Sequence, residues 1–195
     1  SGVVQLVVVE GRLNTIRVQG ADRETTEYLR SQIRTEPGEI LRSSEILNDL
    51  AWMNRSPSRR VDLVYAPGFE FATTDIILRT NEVDPFNMYF GYENSGNELL
   101  GEHRFLMGAT WAEAWGPDRT LSYQLTTDIE FDSLVSHSVV YSVPLPWRHA
   151  LTLLGAYVDS EATVDVDGVP LDIKGESWQV STRYAIPLRW WSPEN

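Results

Sequence analysis

The stretch from Pro85 to Trp115 reads PFNMYFGYENSGNELLGEHRFLMGATWAEAW. Large apolar residues stand at alternate positions on both sides of its small polar loop: Phe86, Met88, Phe90, Tyr92, Phe105, Met107 and Trp111. A period of two places alternate side chains on opposite faces of a β-strand. The stretch therefore predicts two strands with one strongly apolar face.

Composition and charge narrow the function classes and divide the chain. The 195 residues carry a formal net charge of −12 and no cysteine, which argues against a nucleic-acid surface and excludes disulfides and thiolate metal sites. Residues 1–83 contain 10 basic and 12 acidic residues, whereas residues 84–195 contain 6 and 16. We therefore expect two domains, 1–83 and 84–195, that meet near Asp84-Pro85.

The first domain has the pattern of a small α/β module. Ser43 or Ser44 is predicted to cap the second of its helices. The predicted elements follow the order strand, helix, helix, strand, strand: 3–9 with 13–18, 25–33, 43–56, 61–65 and 76–79. Two helices on one face of a three-stranded sheet would bury a small core.

The second domain has period-two patterns and no helical signal. Six strands are predicted, at about 85–93, 103–115, 119–128, 137–145, 150–159 and 177–189. The intervening connections then alternate between long acidic loops at one end of the sheet and tight turns at the other: 94–102, 116–118, 129–136, 146–149 and 160–176. Outer-membrane barrels show this asymmetry.

Aromatic residues and prolines mark the end with tight turns. Four tryptophans are predicted there as a membrane-interface girdle: Trp115, Trp147, Trp190 and Trp191. YSVPLPW at 141–147 is repeated as YAIPLRW at 184–190. Since proline cannot donate to a β-ladder, Pro144 and Pro187 are expected where pairing stops. The same alternating strands also suit a soluble β-sandwich, which stays an open alternative.

Several segments resemble a known family. GVVQLVVVEGRLNTIRVQG (2–20), PGEIL (37–41), SSEILNDLAWMNR (43–55) and VDLVYAPGFEFATTDIIL (61–78) resemble the polypeptide-transport-associated (POTRA) domain of two-partner secretion transporters. This is the TpsB, or hemolysin activator/secretion, family. GYENSGNELLGEHR (91–104) resembles the opening hairpin of that family's transmembrane barrel. The resemblance implies an α+β POTRA domain (β-α-α-β-β) over 1–83, followed by an antiparallel β-meander over 84–195 that is part of an outer-membrane β-barrel.

The resemblance also implies a function and a location. A large partner protein would be captured by the periplasmic POTRA domain and secreted through the barrel without nucleotide or cofactor. Such transporters have 16 strands, commonly two POTRA domains and an Arg-Gly-Tyr/Phe loop motif that has no counterpart here. We therefore expect a fragment with one POTRA domain and about six barrel strands. The alternatives are an outer-membrane barrel assembly protein and a soluble β-sandwich that acts as a binding or scaffold protein.

Each face of the meander has an expected environment in the intact transporter. Lipid would contact Phe86, Met88, Phe90 and Tyr92. One continuous face is predicted to combine nine residues: Phe86, Met88, Phe90, Phe105, Met107, Trp111, Tyr123, Val139 and Tyr141. A wet lumen would contact the polar residues Asn87, Glu93, Ser122, Gln124 and Arg183. In the isolated chain, detergent, a second copy or the curled sheet itself should cover the apolar face, since patches of this size mark an interaction site.

The POTRA resemblance suggests a binding edge for the exported protein. We expect one side of the first strand of the last hairpin to be unpaired: Arg59, Arg60, Val61, Asp62, Leu63, Val64 and Tyr65. An unpaired edge accepts an added strand through main-chain hydrogen bonds. Arg59 and Arg60 could attract acidic cargo, and either Asp62 or Val64 should point its N–H outward. An ordinary solvated edge is the alternative.

No residue pattern indicates an enzyme, a cofactor or a metal site. His103, His137 and His149 are scattered without the spacing of metal ligands, and we expect each to be a surface or turn residue. Asp165 and Asp167 resemble the start of a calcium loop, but the remaining ligands and the distal Glu are absent. The expected partners are a secreted protein in extended form and outer-membrane lipid.

Overall fold

The chain folds into two compact units. The computed structural model describes residue 4, residues 9–97 and residues 100–187. Unit 1 is Ser1–Val83 and unit 2 is Asp84–Asn195, so the division falls where the composition changes. The strand predicted at 3–9 lies outside the described residues except for Val4 and Val9, which are not in a strand. Neither described helix is long and apolar enough to cross a membrane.

The described part of unit 1 is a three-stranded sheet with two helices. Its elements are β1 (Arg12–Gln19), α1 (Arg23–Gln32), α2 (Ser43–Met53), β2 (Arg59–Pro67) and β3 (Thr73–Glu82). β3 lies in the centre, parallel to β1 and antiparallel to β2. Among the described strands, β1 and β2 are therefore the two edges of this sheet.

The ends of the helices are held by local hydrogen bonds. Asp22 caps α1, because its Oδ1 accepts the N–H of Thr25 at 2.7 Å, and this bond lowers the pKa of Asp22 below its ordinary value. The prediction of a serine cap on α2 is wrong. Arg42 stands at the cap position without a side-chain hydrogen bond, and Ser43 is already helical.

The core of unit 1 joins both helices to the sheet. Eight apolar side chains are buried together: Leu13, Leu29, Ile33, Ile46, Met53, Val61, Ile76 and Leu78. Asp49 of α2 is completely buried beside them. Its carboxylate accepts the main-chain N–H of Arg34 at 3.0 Å and the guanidinium Nε at 2.9 Å. The segment after α1 is thereby tied to α2.

In the residues of unit 2 that the structure describes, six antiparallel strands follow sequence order within one sheet. They are β4 (Phe86–Glu93), β5 (Arg104–Trp111), β6 (Thr120–Asp128), β7 (Leu134–Pro144), β8 (Ala150–Val166) and β9 (Val169–Ala185). The described part of unit 2 contains no helix. A β-sandwich needs a second, facing sheet, and all six described strands belong to the same sheet, so that alternative is wrong.

The prediction of a long loop at 160–176 is also wrong. β8 and β9 are 17 residues each and continue as a paired hairpin as far as Val166 and Val169. Asp167 and Gly168 form the turn with φ of 53° and 80°, which matches the type I′ geometry favoured between twisted strands. The Asp165 carboxylate accepts the N–H of Gly168 at 2.8 Å. The two aspartates therefore build a turn.

Two other connections differ from the expected lengths. β5 ends at Trp111, so its connection to β6 spans 112–119, where Trp115 and Asp118 have φ near 60°. β7 begins at Leu134 and shortens the preceding connection to 129–133. The predicted alternation of long and short loops is therefore wrong. Pairing stops near both prolines, because Pro144 ends β7 and Pro187 lies beyond β9.

Candidate functional site

One face of the six-stranded sheet is a broad apolar surface. Directly opposed residues of antiparallel strands project from the same face. The register pairs Phe86 with Trp111, Phe90 with Met107 and so on across the sheet. It thereby places on one face all nine residues expected there: Phe86, Met88, Phe90, Phe105, Met107, Trp111, Tyr123, Val139 and Tyr141. Met88 is 72% exposed and Trp178, on the same face of β9, is 78% exposed.

The opposite face is polar. The register places on it the five residues predicted to face a lumen: Asn87, Glu93, Ser122, Gln124 and Arg183. Hydroxyl groups are hydrogen-bonded across neighbouring strands, Thr110 to Ser122 at 3.1 Å and Ser142 to Thr152 at 2.8 Å. Small polar side chains that bond one another make much of this face hydrophilic, although the register also places Leu106, Val140 and Leu154 on it.

Aromatic rings pack side by side on the apolar face. Phe105 lies 5.6 Å from the rings of both Phe90 and Tyr92, measured between centroids. At the other end of the strands, the ring of Trp115 contacts Trp111 at 5.6 Å and Tyr141 at 5.8 Å. Such pairs are stabilised by contacts between ring edges and faces. The turn after β5 therefore folds its tryptophan back onto this face.

The three histidines also belong to this face, which the sequence analysis missed. Each accepts from or donates to a tyrosine hydroxyl through Nδ1: His103 with Tyr92 at 2.8 Å, His137 with Tyr123 at 2.8 Å, and His149 with Tyr184 at 2.6 Å. The prediction of surface or turn positions holds for His103 and His149, which lie between strands, but it did not include the tyrosine that satisfies one ring nitrogen of each histidine. The sequence held one signal for these pairs. Tyr92, Tyr123 and Tyr184 each stand at an alternate, apolar-face position of a predicted strand.

Two of the four predicted interface tryptophans can be located. Trp115 and Trp147 lie in the connections 112–119 and 145–149, which are at the same end of the sheet. Trp147 is exposed, and its indole N–H donates to the Tyr184 hydroxyl at 2.8 Å. Trp190 and Trp191 lie outside the described residues.

The open side of β2 is defined by its pairing with β3. Val83 donates its N–H to the Ser58 carbonyl, and Gly68 donates to the Thr73 carbonyl, both at 2.9 Å. Because the bonding direction alternates along an antiparallel strand, residues between these two points with even numbers bond to β3. The prediction that Asp62 or Val64 points its N–H outward is therefore wrong. Leu63 and Tyr65 point their N–H groups to the open side.

The proposed role of Arg59 in attracting cargo is also wrong. Arg59 is only 4% exposed, and its guanidinium carbon lies 5.7 Å from the centre of the Tyr28 ring. A buried arginine that packs on an aromatic ring cannot steer a partner from solution. Arg60 is exposed, but its guanidinium lies 4.0 Å from the Asp62 carboxylate, which offsets its charge locally.

A comparison with protein families decides what this arrangement is. The model of the family described as "Haemolysin secretion/activation protein ShlB/FhaC/HecB" matches residues 72–189. This match covers more than half of the chain, from the start of β3 to beyond the end of β9. The chain belongs to this haemolysin secretion/activation family. The family expected from the resemblance is thus confirmed, and it is a secretion family, not an enzyme family.

Two curated relatives of this family member are outer membrane transporters by name. Outer membrane transporter CdiB of Dickeya dadantii (strain 3937) is 31% identical over 103 residues, which are 53% of this chain and 18% of that protein. Outer membrane transporter CdiB-2 of Burkholderia pseudomallei (strain 1026b) is 22% identical over 162 residues, which are 82% of this chain and 27% of that protein.

Solved structures show the same fold. CdiB from Escherichia coli matches with a TM-score of 0.73 and 19% identity over 89% of this chain and 33% of that one. CdiB from Acinetobacter baumannii matches with a TM-score of 0.66 and 17% identity over 88% of this chain and 33% of that one. BamA from Haemophilus ducreyi lacking POTRA domains 1–3 matches with a TM-score of 0.57 and 17% identity over 87% of this chain and 32% of that one. This family member therefore has the antiparallel sheet of such barrels and spans between 18% and 33% of these relatives.

Proposed function

We propose that this chain is part of an outer-membrane transporter that secretes a large partner protein in two-partner secretion. The observation that carries the proposal is the continuous, exposed apolar face of the unit 2 sheet, opposite a face that is rich in hydroxyl and amide groups. Membership of a secretion family and the names of the curated relatives support it. Unit 2 is then the first part of the transmembrane barrel, and unit 1 is a periplasmic POTRA domain.

The assignment of the two faces follows from their exposure. Met88, Phe90 and Val180 are each more than half exposed, and the register joins their strands into one continuous surface. A surface of this size in water would drive association, whereas hydrocarbon solvates it. The hydroxyl-rich opposite face then lines the water-filled route of the exported chain, as the alternation in transmembrane barrels requires.

The proposed binding site of the exported protein is the open side of β2. The main-chain N–H groups of Leu63 and Tyr65 face outward there, and the described structure shows no hydrogen bond to either. An extended segment of the exported protein can satisfy them by adding a fourth strand to the sheet. Such capture needs no nucleotide, because the new main-chain hydrogen bonds and the apolar surface buried with them offset the desolvation of the edge.

A proline substitution tests the site in the full-length transporter together with its exported protein. Leu63→Pro removes one outward donor, while Leu63→Ala keeps it and removes most of the side chain. Leu63 is partly buried against the core of unit 1, so Leu63→Ala also controls for the lost packing, and proline itself is tolerated on the open side of an edge strand. We expect Leu63→Pro to lower the amount of exported protein in the medium severalfold and Leu63→Ala to change it little. Normal export by a folded Leu63→Pro variant contradicts capture at this edge.

The second candidate function is the alternative that the sequence left open, the assembly of other outer-membrane proteins, and the chain shares its fold with BamA from Haemophilus ducreyi. The two functions differ in the number of clients. Depletion of a secretion transporter should remove one exported protein from the medium and leave the outer-membrane proteome unchanged. Depletion of an assembly protein should lower many barrel proteins together. Quantitative proteomics of the outer membrane after depletion separates them.

A further inference from the structure

The open side of β2 is interrupted by a side chain. The Nδ2 group of Asn54 donates to the carbonyl oxygen of Val61 at 2.9 Å, and its Oδ1 accepts the N–H of Val61 at 2.7 Å. Val61 is one of the outward-pointing residues of β2, in alternation with those bonded to β3. Both of its main-chain groups are therefore occupied before any added strand arrives.

Asn54 is held in position by the end of α2. It is the C-cap residue, and its own N–H donates to the carbonyl of Leu50 at 3.0 Å. Its carboxamide carries one acceptor oxygen and an N–H donor in one plane, as a peptide group does. Asn54 thus occupies the place that a peptide group of a neighbouring strand would take beside Val61.

The remaining open side is short. Leu63 and Tyr65 each present an N–H and a carbonyl, and Pro67, at the end of β2, presents only a carbonyl because proline has no N–H. On the other flank, Arg59 is buried below the surface. An added strand therefore meets main-chain partners only along residues 63–67.

We propose that the Asn54 carboxamide takes the place of a neighbouring strand beside Val61. It thereby confines strand addition to residues 63–67 and sets the register of the captured segment. The inference rests on the proposed capture at β2. The ligand is an extended segment of about five residues, since each outward residue of β2 pairs with every second residue of its neighbour. A longer segment would have to displace the Asn54 carboxamide from Val61.

Photo-crosslinking maps the captured segment in the full-length transporter together with its exported protein. A benzoylphenylalanine is placed at Val64, between the two open residues, or at Arg60, beside Val61. Both replace side chains on the strand face away from Val61, so neither change removes a hydrogen bond of Asn54. In the otherwise unchanged transporter we expect the exported protein to crosslink from Val64 and not from Arg60.

Asn54→Ala should extend the site. We expect the Arg60 crosslink to rise from background to the level of the Val64 crosslink, and hydrogen exchange of the Val61 amide to accelerate on the order of tenfold. Asn54→Asp is the second variant, because it keeps the acceptor for the Val61 N–H but cannot donate to the Val61 carbonyl, and its Arg60 crosslink should be intermediate. Asn81→Ala, on exposed β3 opposite Arg60, is the matched control and should change neither readout.

The outcomes separate the inference from the proposed function. An Arg60 crosslink that is the same with and without Asn54, while the Val61 amide exchanges faster, overturns the role of Asn54 and leaves capture intact. The absence of a Val64 crosslink in every folded variant overturns capture at β2 and the inference with it. A crosslink at Arg60 that appears only when Asn54 is replaced supports both.

Discussion

The ring of Tyr89 lies directly over Gly108 on the polar face of the sheet. The two residues are opposed in the β4–β5 pairing, and a Cβ atom on Gly108 would overlap the ring carbons. From this position the Tyr89 hydroxyl donates to Oε1 of Gln124 on β6 at 2.7 Å. Glycine therefore lets one tyrosine span three strands while it lies flat against the sheet.

Gly108→Ala should destabilise unit 2 by displacing this ring. Overpacking of this kind costs about 1–3 kcal/mol, and the hydrogen bond to Gln124 would be lost as well. Gly155→Ala is the control, since a Cβ on Gly155 meets no atom within 4 Å. Urea unfolding in detergent micelles measures the free energy of unfolding of both variants. Equal stability of the two variants would show that the Tyr89 ring moves aside without cost.

Arginine substitutions at adjacent positions should distinguish the two faces of β4. Met88→Arg places a charge on the apolar face and should cost about 2–4 kcal/mol if that side chain lies near the bilayer midplane. Asn87→Arg places the same charge on the polar face and should be tolerated. The yield of folded full-length protein in the outer membrane measures the difference. Equal yields would contradict the assignment of lipid to the apolar face.

Arg34→Ala should destabilise unit 1 much more than Arg23→Ala. Arg34 binds the completely buried carboxylate of Asp49, whereas Arg23 pairs with Glu27 on the exposed surface of α1. Loss of a charged hydrogen bond to a buried group costs about 1–3 kcal/mol, and exposed pairs of this spacing contribute about 0.3–0.5 kcal/mol. Hydrogen exchange of the Ile46 and Leu78 amides reports the stability of this core. Similar exchange rates in both variants would refute the structural role of Asp49.

Asp75 should make the stability of unit 1 depend on pH in the acid range. The hydrogen bond from Asn14, at 2.7 Å, is the largest cause that lowers the pKa of Asp75 below its ordinary 3.8, and Arg17 adds a charge interaction. The pKa of Asp75 is lower in the folded than in the unfolded chain. The ionised carboxylate therefore contributes its full share to the free energy of unfolding above pH 3.8, and this share is lost as pH falls through the folded-state pKa.

Asp75→Asn removes this titration and keeps the shape of the side chain. We expect the stability difference between the unchanged chain and the variant to be largest near neutral pH and to shrink steadily below about pH 4. Thermal unfolding between about pH 6 and about pH 2 measures this difference in stability. It is preferred to hydrogen exchange because the intrinsic rate of amide exchange itself changes with pH. A difference that does not change with pH would exclude a lowered pKa.

Local sequence patterns determined the elements and the two faces of this protein. The alternation from Phe86 to Trp111 requires opposite faces for apolar and polar residues in any antiparallel pairing, because the side-chain period of a strand is two. Pro144 and Pro187 likewise mark where pairing stops, because proline has no N–H to donate. The order of helices and strands in residues 12–82 follows from equally local periods of 3.6 and two.

Only the tertiary structure decided the direction of each hydrogen bond and the burial of each charge. Whether Leu63 or Val64 points its N–H outward depends on the register with β3, which side-chain periodicity does not encode. Arg59 is buried because α1 brings Tyr28 over it, a contact between residues far apart in the chain. The hairpin at Asp167-Gly168 extends because β8 and β9 pair with each other along their whole length. Such non-local pairing sets the register, and it is the register that determines which main-chain groups remain open.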